Sequence, residues 1–456
     1  MIPAILIPLI GSLLILLLGK KACHYITVTT SLSLVVALVF YSIIGSYEEI
    51  KLSILLPQLR LSFYPSEEGF IFAYMVSILW CIANIYAIGY MKSSNTPNIQ
   101  RFFFFFTIAI SFTLGIAFAN NLVTIFLFYE LLTLSTYPLI THSGTIQAKK
   151  AGRTYLAYLL GGSIFFFFPA IIITSNILTE GGFHSIRAIP YLTNDSICTI
   201  LFVMFIYGVT KAALMPMHRW LTAAMVAPTP VSALLHAVAV VKSGVFIIIK
   251  TNFYLFGKEW VHNQLWLIYA ASVTIILGSI YALKANNLKE RLAYSTISQL
   301  SYIILLATVA DSIILPITYM ILHAFAKITL FFAAGAIYIK TKNQSIDKLH
   351  GIGKAMPLTM CCFTIAACSM IGLPFTGIFW GKAMLLLSAM KSIKPIFIII
   401  VVVISTMLNT LYFVPIIYNA FWQGPDRKYN EINLCMIIPM IIVTLFTLMG
   451  FWVYLI

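Results

Sequence analysis

The sequence predicts an all-α polytopic membrane protein of about fourteen transmembrane helices, with two inverted five-helix repeats and helices 7 and 12 broken. Three observations predict it. The chain has 456 residues, 61% of them hydrophobic and only 9% charged, where a soluble domain carries about 25% charged residues. Apolar runs recur from end to end, each close to the ~20 residues that a spanning helix needs. Two of those runs are interrupted by Pro and Gly, each near one lysine, a pattern that points to an inverted-repeat transporter.

The runs fall roughly at 2–18, 25–45, 69–91, 102–118, 121–140, 154–176, 197–217, 228–250, 264–283, 293–309, 312–338, 357–390, 395–420 and 433–455. The first has no basic residue ahead of it and no A-x-A site after it, so a membrane helix is expected there and not a cleaved signal peptide. Phe102–Phe106 is expected to face lipid. Only Ala119, Asn120 and Asn121 separate the fourth run from the fifth. The seventh and twelfth runs contain Pro216, Gly372 and Pro374, which should break them. Runs 4–8 and 9–13 give two units of five. Five is odd, so the second unit would be inverted. The chain then reads as one membrane domain, 1–456, with three helices in 1–100, units at 101–250 and 262–420, and a last helix at 433–456. No polar stretch is long enough for a soluble domain.

The net charge of +15 comes from 28 Lys and Arg against 13 Asp and Glu. There is no long basic run, so nucleic acid is not an expected partner. The charges lie mostly between the apolar runs, where they report topology. The loops after odd-numbered helices carry 17 Lys and Arg, the opposite loops 7. By the positive-inside rule the richer side is cytoplasmic and both termini face out. A bacterial inner membrane is expected, with an organellar inner membrane as the alternative. The seven cysteines form no CxxC pair, so neither a disulfide frame nor a metal site is expected.

Seven Glu, Lys and His residues fall well inside the runs, away from their ends: Glu130, Lys211, His236, Lys242, His323, Lys327 and Lys382. A lone lysine there can snorkel to the interface, and a lone histidine can be a satisfied core residue. The whole set is harder to dismiss, since each charge at bilayer depth costs roughly 2.5–3.5 kcal/mol on insertion scales. His323 and Lys327 lie four apart, on one helical face. Acid, lysine and histidine together read as a proton relay or ion path. Desolvation disfavours an ammonium and a nearby carboxylate favours it, so a Lys211 whose Glu130 partner comes and goes would switch between charged and neutral. Arginine would not serve, because it effectively never deprotonates. Irregular backbone at membrane depth survives only when buried in protein or lining a wet cavity, so the break beside Lys211 suits a water-filled route.

These residues stand in stretches that resemble the antiporter-like subunits of respiratory complex I and of Mrp-type cation/proton antiporters. The stretches are "FYELLTLSTYPL", "KAALMPMHRWLTAAMVAPTPVSALLHAVAVVKSGVF", "LKERLAYSTISQLSYI", "HAFAKITLFFAAGAI" and "GLPFTGIFWGK". The resemblance implies fourteen helices with two inverted five-helix units. It implies that Glu130 and Lys211 are the paired acid and lysine of the first half-channel and that His236 and Lys242 connect it onward. It implies that His323 and Lys327 are the central pair, and Lys382 the terminal lysine. The wording "YELLTLSTYPLITHSGT" leans to the Mrp D-type subunit. The long lateral helix of the largest complex I subunit has no counterpart after the fourteenth run. Asn286 and Asn287 stand where the family often has Asp, which leaves the role of that loop open.

The function expected is a proton-translocating subunit of a Mrp-type Na+/H+ antiporter. Its partners would be other membrane subunits, lipid, H+ and Na+. The alternative is a proton-pumping subunit of an NADH-quinone oxidoreductase or a membrane hydrogenase. The sequence offers no Rossmann fingerprint, iron–sulfur spacing or hydrolytic site, so no cofactor is expected and redox chemistry would belong to partners. An independent solute transporter would gather its charges at one midplane pocket, and here they spread over five helices. A lipid-acting enzyme would need a clustered site, and His142, His184 and His218 are scattered.

Overall fold

The computed structural model describes residues 1–45, 48–53, 60–177, 189–191, 193–424 and 430–450. Helices α1 (Ile2–Lys20) and α2 (Ala22–Ile44) join at Gly19, whose φ of 78° only glycine adopts freely. There follow α3 (Glu67–Ser94), α4 (Ile99–Phe118), α5 (Leu122–Ile140), α6 (Ile146–Ile177), α7 (Asp195–Gly208), α8 (Thr229–Phe256), α9 (Leu265–Lys284), α10 (Leu288–Val309) and α11 (Ile314–Thr341). Helix α12 is two half-helices, Pro357–Ile371 and Gly377–Ala389, and α13 (Pro395–Trp422) and α14 (Leu434–Met449) end the order. Among the described residues, eleven helices are long and apolar enough to cross a membrane; α7, the halves of α12 and α14 are shorter.

Side-chain caps set several of these starts. Asn121 accepts from the Thr124 amide and so divides α4 from α5 with almost no linker. Asn287 accepts from the Lys289 and Glu290 amides at the start of α10. Asn caps a helix as well as Asp does, so the family's common Asp is replaced here by a residue able to do the same capping. Asn286 reaches across to the Asp347 carboxylate at 2.5 Å.

The sequence reading is corrected in four places. A small antiparallel hairpin, β1 (Ile50–Ser53) with β2 (Arg60–Phe63), interrupts the all-helical order. It covers the α4–α5 boundary: the Ser62 amide donates to Thr124 Oγ1 at 2.9 Å and the Asn120 amide donates to the Ser62 carbonyl at 2.8 Å. Partial burial raises the Glu49 carboxyl. Hydrogen bonds from Ser62 and Asn120 and the Lys51 ammonium outweigh it and hold the group below its ordinary range. Second, the phenylalanine run does not face lipid as a block. Phe102, Phe103 and Phe106 are fully buried, with Phe102 stacked on Phe106. Third, α6 and α10 begin earlier than expected, so Lys149, Lys150, Lys289 and Arg291 lie in helices. Fourth, α7 stops at Gly208, well ahead of Pro216.

The helices at the centre are α8, buried except at Phe253 and Tyr254, and α10 and α11, buried over most of their length. Helix α11 touches α3, α8, α10, α12 and α14. In lipid, packing and interhelical hydrogen bonds hold helices together. A polar group on these three helices must therefore find its partner inside the protein.

Candidate functional site

The break after α7 places the first lysine. A 3-10 turn, Thr210–Ala212, follows Gly208, then a left-handed Ala213 and a short helix, Arg219–Ala223. Lys211 sits in that turn, fully buried. The turn is fixed from α5: the Tyr129 hydroxyl lies 3.2 Å from Thr210 Oγ1 and accepts from the Lys211 amide at 3.2 Å. Trp220 Nε1 donates to the Thr210 carbonyl at 3.0 Å. Helix α8 presses against the other side at Gly244. A Cβ there would stand 2.4 Å from Ala212 N and 2.5 Å from Lys211 C, so only glycine fits.

The Lys211 amine reaches across to α5. Nζ donates to the Tyr129 carbonyl at 2.7 Å and to Thr133 Oγ1 at 2.5 Å, and it lies 3.1 Å from the centroid of the Tyr129 ring. A cation that close over an aromatic face is attracted to it. The expected Lys211–Glu130 ion pair is not formed among the described residues. Glu130 is the next residue along α5 and interacts with Lys211 through space. Both of its carboxylate oxygens are buried without a protein hydrogen-bond partner. The Lys211 amine therefore docks on the segment of α5 that carries the acid, held there by the Tyr129 carbonyl and the Thr133 hydroxyl.

The central groups come from α8 and α11. His236 lies in a π-helical segment of α8, Leu234–Val238, a distortion frequent at functional sites. Its ring lies against Phe331 with centroids 4.9 Å apart. Lys242, also on α8, shares a hydrogen bond with His323 Nδ1 on α11. Lys327, one turn beyond His323, bonds Ser295 Oγ and the Leu292 carbonyl on α10. So the pair at i and i+4 splits, one member to α8 and the other to α10. His236, Lys242, His323 and Lys327 all interact electrostatically. Four bases buried in one region repel as they gain charge, so loading one raises the cost of loading the next.

The second break holds Lys382. The first half of α12 ends at Ile371, Gly372 takes φ 90°, and the second half begins at Gly377. The Lys382 amine folds back to the Ile371 carbonyl at 2.7 Å and reaches Thr406 Oγ1 on α13 at 3.0 Å. The lysine side chain crosses Gly372, where an added Cβ would lie 3.1 Å from its Cδ. Helix C-termini favour cations, so the broken half-helix offers its carbonyl end to the ammonium. Snorkelling is ruled out for Lys242 and Lys382, which are both buried.

Sequence reasoning missed two buried lysines. Lys250 donates to the Ala119 carbonyl at 2.9 Å, and Lys289 donates to the Ala227 carbonyl at 2.6 Å, near enough to His236 to interact with it. Both lie close to helix ends, where a lysine usually means a loop charge. His142 bonds the Pro97 carbonyl, His218 starts the short helix after the first break, and His184 lies outside the described residues.

Residues 119–409 match the family described as NADH:quinone oxidoreductase/Mrp antiporter, transmembrane. The chain is 28% identical over 391 residues to NADH-ubiquinone oxidoreductase chain 5 of Yarrowia lipolytica, covering 83% of this chain and 59% of that protein. It is 30% identical over 395 residues to the putative antiporter subunit mnhA2 of Staphylococcus haemolyticus, covering 79% of this chain and 48% of that one. It thus spans about half the length of the curated relatives it matches. A chain of the archaeal membrane-bound sulfane sulfur reductase superposes with a TM-score of 0.87 at 21% identity, covering 99% of this chain and 94% of that one. A chain of the Mrp complex from Dietzia sp. DQ12-45-1b superposes with 0.84 at 18% identity, covering 99% and 93%.

Proposed function

Since the chain belongs to the NADH:quinone oxidoreductase/Mrp antiporter transmembrane family, we propose that it is a proton-translocating subunit of a multisubunit membrane assembly. Protons move along Glu130, Lys211, His236, Lys242, His323, Lys327 and Lys382. The observation that carries this reading is the file of buried bases: Lys211 on the first break, the Lys242–His323 pair, Lys327, and Lys382 on the second break. Lysine suits each place because its amine gains and releases a proton within the hydrogen bonds that hold it. Glu130 is the acid whose state sets that of Lys211. Gly372 and Pro374 lie where α12 opens beside the Lys382 amine, and Pro216 follows the turn that holds Lys211.

The assembly we favour is a Mrp-type Na+/H+ antiporter, with this chain in the D-type position. The wording around Glu130 supports it. A complex I-type translocase or membrane hydrogenase is the alternative, since the relatives include complex I chain 5 and the structural neighbours include a respiratory complex. The loop charges support a bacterial inner membrane with both termini outside. In vesicles reconstituted with the assembly, Lys211→Ala and Glu130→Ala should each abolish proton transport. Wild-type rates in both would end the relay assignment.

A further inference from the structure

One end of the bundle holds an acid and a lysine that the relay reading does not use. There α2, α4 and α8 end and α3 begins, and the orientation proposed above puts that end outside. A cavity of about 660 Å³ opens there, lined by Ser66, Glu67 and Glu68 at the start of α3, Ser42 on α2 and Tyr254 on α8. Glu67 is exposed to water already. Glu68 lines the same cavity and is only 3% exposed. One wall of the cavity is therefore a carboxyl group taken almost wholly out of water.

A buried lysine stands behind Glu68. Lys250 lies four residues before Tyr254 on α8, and its amine donates to the Ala119 carbonyl, just past the end of α4, at 2.9 Å. The start of α3 rests on the same stretch of chain. A Cβ on Gly69 would stand 2.6 Å from the Ala117 carbonyl oxygen, and the Tyr64 amide donates to the Phe118 carbonyl at 2.9 Å. Residues 117–119 thus seat Glu68 and Lys250 from two helices, and the two groups interact electrostatically. Directly after Lys250, α8 loosens into a π-helical segment, Thr251–Phe256, which carries Tyr254 to the cavity. The other π-helical segment of α8 carries His236, and such distortions are frequent at functional sites. Lys250 also continues the order of bases along α8, after His236 and Lys242.

The geometry points to an outer proton port made of Glu68 and Lys250, which exchanges protons between the inside of the protein and water in the cavity. It rests on the relay reading above. In the outward direction the Lys250 ammonium gives one proton to the Glu68 carboxylate, and the carboxylic acid so formed gives it to a water of the cavity. One N–H bond breaks at Lys250, and one O–H bond forms and breaks at Glu68. The neutral amine then takes its next proton from inside the protein. Inward transfer runs the same steps in reverse. The port is the last step alone: eight residues of α8, roughly 12 Å, part Lys250 from Lys242, more than one proton hop covers.

The competing reading is a staple, in which acid and lysine only fasten α3 and α8 to the end of α4. The two readings differ in the substitutions they tolerate. Lys250→Arg keeps the charge and much of the length and forbids release. Glu68→Asp keeps a titratable carboxyl, whereas Glu68→Gln keeps the reach without one. Proton transport and subunit levels are measured in vesicles holding the whole assembly, with Glu67→Gln at the exposed rim as the control. A port requires Lys250→Arg and Glu68→Gln to assemble normally and lose transport roughly tenfold or more. Glu68→Asp should keep several-fold more transport than Glu68→Gln, and Glu67→Gln should run at the wild-type rate. Wild-type transport in Lys250→Arg overturns the port. So does transport in Glu68→Gln equal to or above that in Glu68→Asp, or an equal loss in Glu67→Gln. If Lys250→Arg does not assemble, the order of the two Glu68 variants decides alone. Lys211→Ala separates the two ideas. If it abolishes transport while Lys250→Arg transports normally, only the port is wrong; if Lys211→Ala transports normally too, the relay itself is.

Discussion

The two breaks, at Lys211 and at Lys382, look alike in sequence and differ in what receives the amine. Lys211 leaves its own helix and binds α5, with Thr133 and the Tyr129 carbonyl as acceptors and Glu130 as neighbour. Lys382 folds back onto the Ile371 carbonyl of its own half-helix and takes a hydroxyl from α13. The nearer likeness to the Lys211 contact is made by Lys327, which takes a carbonyl and a hydroxyl three residues apart on α10. Equal positions in a proposed repeat have thus acquired unequal partners. The first break is tied to an acid, so its charge can follow Glu130. The second is tied to a helix end, so its charge rests on the Ile371 carbonyl and the Thr406 hydroxyl.

That contrast can be broken or sharpened by substitution. The largest effect should come from Lys382→Gln, which removes the terminal acceptor. Proton transport by the reconstituted assembly should vanish, and a normal rate would make the second break a mere structural echo of the first. Next is Gly244→Ala, which pushes a methyl group into the Lys211 turn. It should cut transport about tenfold, equivalent to roughly 1.4 kcal/mol at the barrier, with Lys382 untouched. Smaller again is the difference between Thr133→Val and Ser295→Ala. Each takes one hydrogen bond from a buried amine, worth about 1–3 kcal/mol. After Ser295→Ala, Lys327 keeps the Leu292 carbonyl, whereas after Thr133→Val, Lys211 keeps the Tyr129 carbonyl with Glu130 as neighbour, so the loss at Ser295 should slow transport more; the reverse order would remove Glu130 from the support of Lys211.

The smallest effect lies at the hairpin. Its folded-state carboxyl, Glu49, is held below the ordinary range, so its contribution is present above that range and is lost as pH falls through the lower, folded value. Thermal midpoints of the parent and Glu49→Gln should differ slightly at neutral pH and converge in acid. A gap that persists at low pH would remove Glu49 from the hairpin's support.

Hydropathy made the lysines legible because a charge in an apolar run is conspicuous. It made the breaks legible as well, through Pro374 and Gly372. It did not show where α7 ends, because the turn is set by Tyr129 from another helix. It misread Phe102–Phe106, because a side chain packed on protein and one packed on lipid are equally apolar. Lys250 and Lys289 were hidden by their places near helix ends.

The central claim is that a buried lysine at the first break must release its proton for transport to occur. Lys211→Arg tests this most directly, because it keeps the charge and much of the length and forbids release. Proton transport by vesicles holding the assembly should fall as far as it does in Lys211→Ala, with the assembly intact. Transport at the wild-type rate with arginine at 211 would contradict the account.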